Sequence, residues 1–479
     1  MSAHLPSRTP DQALQRAAGL GLTPTSDHDE LAERLAVDDA TLDSLRSLDL
    51  ESPTGPHAGE DLPVAPQLSW RGRRPAPAAP EVEATRWHAP VWISADNAPR
   101  TAPGGPLSGW EVAIKDLMGV DGLPLTGGTH ALRADRPRRD AAAVSALRAA
   151  GATIRGTVNL HALAYGATGI SSDWGTPTNP AVPGAIPGGS SSGSAAAVTE
   201  GSAALALGTD TSGSIRIPAA LCGVVGLKPT RGLVSLDGCH PLAPSLDHIG
   251  PLAASVADVA AGTSALAGWT GWALPEEPAG APRVGVLGGY FSRGLSGEVR
   301  SAFEAACARL ADAGVELVPV DLPLAAHIPG GQLALLGTEA LHSNLDTLRA
   351  RGADLPGDVR LRLEAGLART DEQYAVSLTL ARRFADQVST ALTRCHALLS
   401  PTTAITATPP ELSHVEVDGE RVTVQFSLTR LTMPFNFSGH PALTLPLPAT
   451  APVGLQVVGR FGADQDLLAL SAYLEQILD

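Results

Sequence analysis

Two serine-bearing turns, Gly188-Gly189-Ser190-Ser191-Ser192-Gly193 and Thr209-Asp210-Thr211-Ser212-Gly213-Ser214, carry the clearest chemical signal in the chain. Glycine allows positive φ and close backbone approach. A serine between glycines can therefore sit on a tight turn with its hydroxyl and neighbouring N–H groups directed at one point. Acyl transfer needs that combination, a nucleophile beside an oxyanion hole. Gly/Ser-rich stretches usually read as flexible linkers, but here Ala195-Ala196-Ala197-Val198 and Ala203–Leu207 alternate with the turns, and Leu221–Leu227 follows. Such apolar segments belong in a packed interior.

A base is needed to activate a serine. Of 34 basic residues only Lys115 and Lys228 are lysines. Burial can strip the proton from a lysine, whereas arginine stays charged. Both lysines are therefore candidates for a neutral amine. His161, His240 and His248 suggest a Ser-His-Asp alternative, but Asp247 and His248 are adjacent on an extended segment and point to opposite sides. Gly189–Gly193 also matches G-x-S-x-G with Ser191 as nucleophile. That motif needs a strand directly before it, and Pro180, Pro183 and Pro187 exclude one. S-x-x-K spacing, a P-loop and a dinucleotide fingerprint are absent.

The rest of the chain bounds these readings. At 479 residues it can hold one large α/β domain or two to three smaller ones. A net charge of −15 argues against a dedicated nucleic-acid surface. No run of 18 apolar residues suggests a membrane span, and the first residues lack the order of a signal peptide. Cys222, Cys239, Cys307 and Cys395 are scattered, so neither a zinc site nor a disulfide framework is expected. The expected setting is a reducing cytoplasm.

The elements that position the turns follow from periodicity. Helical spacing of Leu31, Leu35, Leu42, Leu45 and Leu48 predicts a helix over 27–48. Residues 51–108, rich in Pro, Gly and Ala and carrying Arg71-Gly72-Arg73-Arg74, read as an extended wrap or linker with a solvated basic patch. A strand over 110–115 ends at Lys115, a helix covers 140–150, and a strand follows. This strand–helix–strand order continues to residue 270 and predicts an α/β layer with parallel pairing. Strands are expected at 283–287, 315–320, 397–402, 441–447 and 453–459, and helices at 298–313, across most of 332–395 and at 465–478. Asp464 and Asp466 read as solvated or helix-capping.

Taken together, Ala113-Ile114-Lys115-Asp116, Pro187–Ala197, Gly208–Ala219 and Cys222–Thr230 closely resemble the amidase signature family. Segments 159–166, 175–180, 245–251 and 452–456 add to the resemblance, which spans about residues 105–475. It implies a single large α/β domain over 105–479 with a central mixed β-sheet flanked by helices, preceded by an N-terminal helical segment and wrap over 1–104. It also implies an amidohydrolase that cleaves a carbon–nitrogen bond through a serine acyl-enzyme, without cofactor or metal. By matching positions Ser214 is the nucleophile, Ser190 the bridging serine and Lys115 the base. The backbone N–H groups of Thr211, Ser212, Gly213 and Ser214 form the oxyanion hole. Ser191, Asp210 and Arg216 support the turns, and Lys228 is structural.

Two positions depart from the family's commonest pattern: Ser212 stands where glycine is frequent, and Ala162 where an acid is often found. The expected partner is a small-molecule amide, with no nucleic acid or membrane, and a homodimer is compatible with this. The alternatives are the amidase component of a glutamine-dependent tRNA amidotransferase, or a hydrolase of carbamates or urea-like amides. Substrate choice is expected to lie in segments 122–135, 236–243, 330–375 and 405–440. Trp174, Tyr374, Phe435 and Phe437 are the aromatic residues that could cluster at a substrate pocket.

Overall fold

Runs of Val, Ile, Leu and Ala, punctuated by glycine turns, pair into one large sheet. The computed structural model describes residues 8–23, 28–46, 91–95, 104–132, 136–274 and 282–479. The Arg71–Arg74 patch and most of the expected wrap lie outside them. In chain order the strands are β1 (Trp92–Ala95), β2 (Glu111–Lys115), β3 (Thr153–Val158), β4 (Leu205–Asp210), β5 (Val225–Lys228), β6 (His248–Ala253), β7 (Arg283–Leu287), β8 (Glu316–Val320), β9 (Ala397–Pro401), β10 (His414–Val417), β11 (Glu420–Thr423), β12 (Ala442–Leu447) and β13 (Val453–Val458). Eleven of them form the main sheet, in the order β1-β3-β2-β4-β6-β5-β12-β13-β9-β7-β8, and β10 and β11 form a separate hairpin.

The sheet is mixed. β2 runs parallel to β3 and β4, and β7 parallel to β8 and β9. The parallel pairing expected up to residue 270 holds only around β2. β4 and β5 are joined by a crossover helix and run the same way, but β6 inserts between them antiparallel to both. Order along the chain does not reveal that insertion. β4, β6 and β13 are buried along their whole length, which suits strands covered on both faces. β8 lies at the sheet edge, is partly exposed and carries Pro319, a residue that edge strands tolerate.

The helices are α1 (Pro10–Gly19), α2 (His28–Arg46), α3 (Ala142–Ala149), α4 (Ser192–Thr199), α5 (Arg216–Cys222), α6 (Val256–Ala267), α7 (Gly297–Asp312), α8 (Ile328–Ser343), α9 (Leu345–Arg351), α10 (Gly357–Ala365), α11 (Asp371–Ala391), α12 (Val424–Thr429), α13 (Met433–Ser438) and α14 (Asp464–Leu478). Two of them matter most for the site. α4 starts directly after the first serine turn and α5 directly after the second. α4 lies close to the sheet because its residues are small: a Cβ on Gly193 would come within 2.6 Å of the Asn159 backbone.

The N-terminal helices dock on the body. Leu31 and Leu35 share a buried cluster with Leu341, Val359, Leu363 and Leu367, while Leu42 and Leu45 join the main core. Asp38 forms a buried ion pair with Arg369 and a second with Arg34 at 2.9 Å. Arg16 donates to the carbonyls of Leu367 and Arg369.

Asp464 is neither solvated nor capping. It is buried, and it accepts from the Thr230 N–H at 2.8 Å and from the Thr230 hydroxyl, pinning the start of α14 to the loop after β5. Asp466 is exposed and pairs with Arg460. Among the described residues no helix is long and apolar enough to cross a membrane.

Candidate active site

β2 delivers Lys115 to the end of a buried strand. The register that pairs Ile114 with Leu207 brings the end of β2 beside the first half of β4, with Thr209 two residues further on. Lys115 Nζ lies 2.7 Å from Ser190 Oγ, 3.0 Å from Ser191 Oγ and 2.7 Å from Thr209 Oγ1. Ser190 and Ser191 come from the turn before α4, and the Gly189–Ser190 peptide is cis. Lys115, Ser190 and Ser191 are fully buried. Burial brings the Lys115 amine down from 10.5 to about 7, although Cys239, Asp210 and Asp247 pull the other way. Three hydroxyls and no direct carboxylate partner let desolvation dominate. Ser191 is not on a nucleophile elbow: loop precedes it, its hydroxyl donates to Thr209 O at 3.1 Å, and it accepts from Thr209 N–H at 3.2 Å.

The second turn is held beside the first by a backbone bond, Ser191 N–H to Ser214 O at 3.1 Å. Ser214 is slightly exposed, and among the described residues its hydroxyl has no hydrogen-bond partner. Its placement depends on Asp210. One carboxylate oxygen accepts from Gly213 N–H at 2.8 Å, and the other from Ile215 N–H at 3.2 Å. Arg216 reaches the same carboxylate through Nε and Nη2, each at 3.0 Å. Burial alone would raise Asp210, but the guanidinium of Arg216 and hydrogen bonds from Arg216 and Asn436 carry it well below the usual carboxylate range. An ion pair with both partners inaccessible is tolerated only when its remaining valences are satisfied. They are: Arg216 also donates to Gln456 Oε1, Asn436 Oδ1 and Thr432 O.

Gly213 is constrained by space as well as conformation. Its φ is +123° and a Cβ there would sit 2.1 Å from Thr432 Oγ1. Its N–H is engaged by Asp210, so one of the four amides expected at the oxyanion hole is not free. The N–H groups of Thr211, Ser212 and Ser214 have no partner among the described residues. Thr211 Oγ1 donates to Asp247 at 2.6 Å. Ser212 Oγ accepts from Gln332 Nε2 of α8 at 2.6 Å, and Ser212 O accepts from Thr432 Oγ1 at 2.6 Å.

The histidines are engaged elsewhere. His161 faces Asp358 at 3.3 Å, His240 faces Asn344 at 2.9 Å, and His248 Nδ1 faces Leu246 O at 2.7 Å. None of these three bonds Ser214, so among the described residues no Ser-His-Asp triad forms. Lys228 is also buried, but among the described residues its Nζ reaches only Pro229 O, at 3.1 Å. Phe435 and Phe437 belong to the main core and Tyr374 packs against it, whereas Trp174 packs against a different buried cluster. Phe435 stacks with Phe291 in the main core, while Trp174 packs edge-on to His130 and donates to Thr126. Among the described residues no group of three His, Cys, Asp or Glu could hold a metal.

A family model described as Amidase matches residues 85–468. The chain belongs to the amidase family. Curated relatives include AtzE of Pseudomonas sp. (strain ADP), which is part of a 1-carboxybiuret hydrolase and is 34% identical, with the alignment spanning 74% of this chain and 80% of that one. A glutamyl-tRNA(Gln) amidotransferase chain from Chloroflexus aurantiacus is 35% identical over the same shares. A crystal structure of an amidase superposes with a TM-score of 0.74 at 39% identity, covering 78% of this chain and 86% of that one. The family comprises hydrolases that act on carbon–nitrogen bonds.

Several supporting residues have no signal in the sequence. Thr432, Asn436 and Gln332 lie in segments 405–440 and 330–375, which the sequence marked only for substrate choice, and Gln456 ends the 452–456 segment, where residue type alone assigns it no role. Asp116, next to Lys115, accepts from the Thr126 N–H at 3.1 Å and from its hydroxyl, and burial raises its carboxyl to about 7.

Proposed function

We propose that the protein is an amidohydrolase acting on a small-molecule amide by a Ser-Ser-Lys mechanism, independent of metal and cofactor. One observation carries the reading: a fully buried amine with its pKa lowered to about 7 sits 2.7 Å from Ser190 Oγ. A neutral amine has two N–H groups and one lone pair. Ser191 already donates to Thr209 O, so it can only accept from Lys115. Giving the N–H groups to Ser191 and Thr209 leaves the lone pair for Ser190.

Lys115 then takes the Ser190 proton while Ser190 takes that of Ser214, and Ser214 Oγ attacks the scissile carbonyl. Free amides of Thr211, Ser212 and Ser214 receive the developing oxyanion. Run backwards, the relay protonates the departing nitrogen, a step amides require because an amine anion leaves poorly. Water brought in along the same relay cleaves the acyl-enzyme. Asp210 and Arg216 hold the turn and take no proton.

Carbamates and urea-like amides share this chemistry, and the 1-carboxybiuret hydrolase relative favours including them. A role in an amidotransferase requires further protein partners. The test is a panel of amides, esters and carbamates given to the purified protein, with products read by mass spectrometry and the fluorophosphonate adduct mapped. Ammonia or amine release by the protein alone, with the adduct on Ser214, supports the reading. An adduct on another serine, or no turnover across the panel, overturns it.

A further inference from the structure

The turn that carries the nucleophile holds a donor with no part in the relay. Ser212 Oγ is 2.6 Å from Gln332 Nε2. The orientation of that amide is fixed by chemistry. Gln332 Nε2 is also 3.2 Å from Thr211 O, and a carbonyl oxygen only accepts, so the atom facing it must be the nitrogen. Nitrogen in an amide only donates, so Ser212 Oγ is the acceptor. The hydroxyl proton of Ser212 therefore remains available, and it has no acceptor among the described residues.

The arrangement carries a cost. Gln332 is buried and its Oε1 has no hydrogen-bond partner. A buried acceptor left unsatisfied is destabilising, and groups held that way need a reason. Gly330 and Gly331 open α8, and a Cβ on Gly331 would meet Leu380 and Phe437 at 2.9 and 3.1 Å. The first turn of α8 is thus seated closely on α11 and α13, which puts the Gln332 side chain at the oxyanion turn. The same turn lacks one expected donor, since Gly213 N–H is bound to Asp210.

We propose that the Ser212 hydroxyl is a side-chain donor to the scissile carbonyl oxygen as it becomes an oxyanion, and that Gln332 is the residue that positions it. This rests on Ser214 as the nucleophile. Serine at 212, where glycine is frequent, then supplies a donor to the hole in place of the engaged Gly213 amide. Ser212 half-faces solvent, so its proton can turn toward a bound substrate without breaking the bond from Gln332.

The experiment measures kcat and KM on a carboxamide that the wild-type protein hydrolyses, for Ser212→Ala, Ser212→Gly, Ser212→Thr, Gln332→Met and the double variant Ser212→Ala/Gln332→Met. Losing one oxyanion donor costs about 10²–10³-fold in kcat, so Ser212→Ala and Ser212→Gly should each lose about 10²-fold with KM changed less than about threefold. Ser212→Thr keeps the hydroxyl and should stay within about tenfold of wild type. Gln332→Met should lower kcat in the wild-type background and cause no further loss in the Ser212→Ala background, because it acts through the hydroxyl. Should Ser212→Ala fail to fold, Ser212→Gly reads the same loss. Wild-type-like kcat in either variant, or an equal Gln332→Met loss in both backgrounds, overturns the proposal. Mapping the fluorophosphonate adduct in the same variants keeps the two readings apart: an adduct away from Ser214 refutes the nucleophile, while the kcat ratios report on Ser212.

Discussion

Lys115 and Lys228 sit in the same sheet, both wholly buried and both with amines lowered by burial. Their surroundings differ in one respect that matters. Lys115 faces three hydroxyls, two of which belong to the turn that precedes α4 and lies beside the turn that carries Ser214. Lys228 faces a single backbone carbonyl and lies near the charges of Arg216 and Asp210. A depressed pKa makes an amine neutral, but it acts as a base only where a neighbour can give it a proton. Burial produces the lone pair in both places, and among the described residues only the first has a hydroxyl to use it on.

The sharpest way to break that comparison is to substitute both lysines. Lys115→Ala should lower kcat/KM by about 10²–10⁴-fold, the usual size of a positioned general base. Lys115→Arg should be nearly as damaging, because a guanidinium keeps its proton at working pH. Retention of more than about a tenth of wild-type activity by Lys115→Arg would show that Lys115 serves only as a fixed charge. Lys228→Met should leave kcat/KM within about threefold of wild type.

The pH profile gives a second separation. Wild-type kcat/KM should fall about tenfold per pH unit below about 7, as the Lys115 amine protonates and loses its lone pair. Lys228→Met should keep that profile. A profile flat from pH 5 to 8 contradicts the neutral base.

Stability should separate the pair less. Lys228→Met leaves Pro229 O without its donor, at a cost of about 1–3 kcal/mol by chemical denaturation. Lys115 titrates lower in the folded chain than in the unfolded one, so the unfolded chain binds the extra proton between about pH 7 and 10.4, and stability rises with pH across that window. Lys115→Met should therefore gain Tm relative to wild type as pH drops from 10 to 7. An unchanged difference would place Lys115 in a wetter site than the structure gives it. The smallest expected effect is that of a chelator: EDTA should leave kcat/KM unchanged, and a loss restored by a divalent ion would refute the metal-free mechanism.

Much of the site was legible because its residues are local. Ser190 and Ser191, or Asp210, Gly213, Ser214 and Arg216, fall within single short turns, so type and spacing already brought them together. The scarcity of lysine pointed to Lys115 and Lys228 together, and only the resemblance and then the geometry separated them. The supports were not legible. Thr432, Asn436 and Gln456 reach Arg216 from more than 200 positions away, and nothing in their own neighbourhoods marks them. Asp464 reads as a surface acid by position and becomes buried only when α14 packs against the loop after β5.

The sequence by itself determined the chemistry on offer: two serine turns, an amine that burial can neutralise, glycines where a side chain would collide, and apolar runs that must form a buried sheet. These are properties of residue type and short spacing, set by sterics and hydrophobicity. Tertiary structure alone decided which amine meets a hydroxyl, which amide of the oxyanion turn is already bound, and where β6 enters the sheet. Those outcomes depend on long-range packing, in which α8, α13 and β13 arrive at one turn from distant parts of the chain, and no local pattern encodes their arrival.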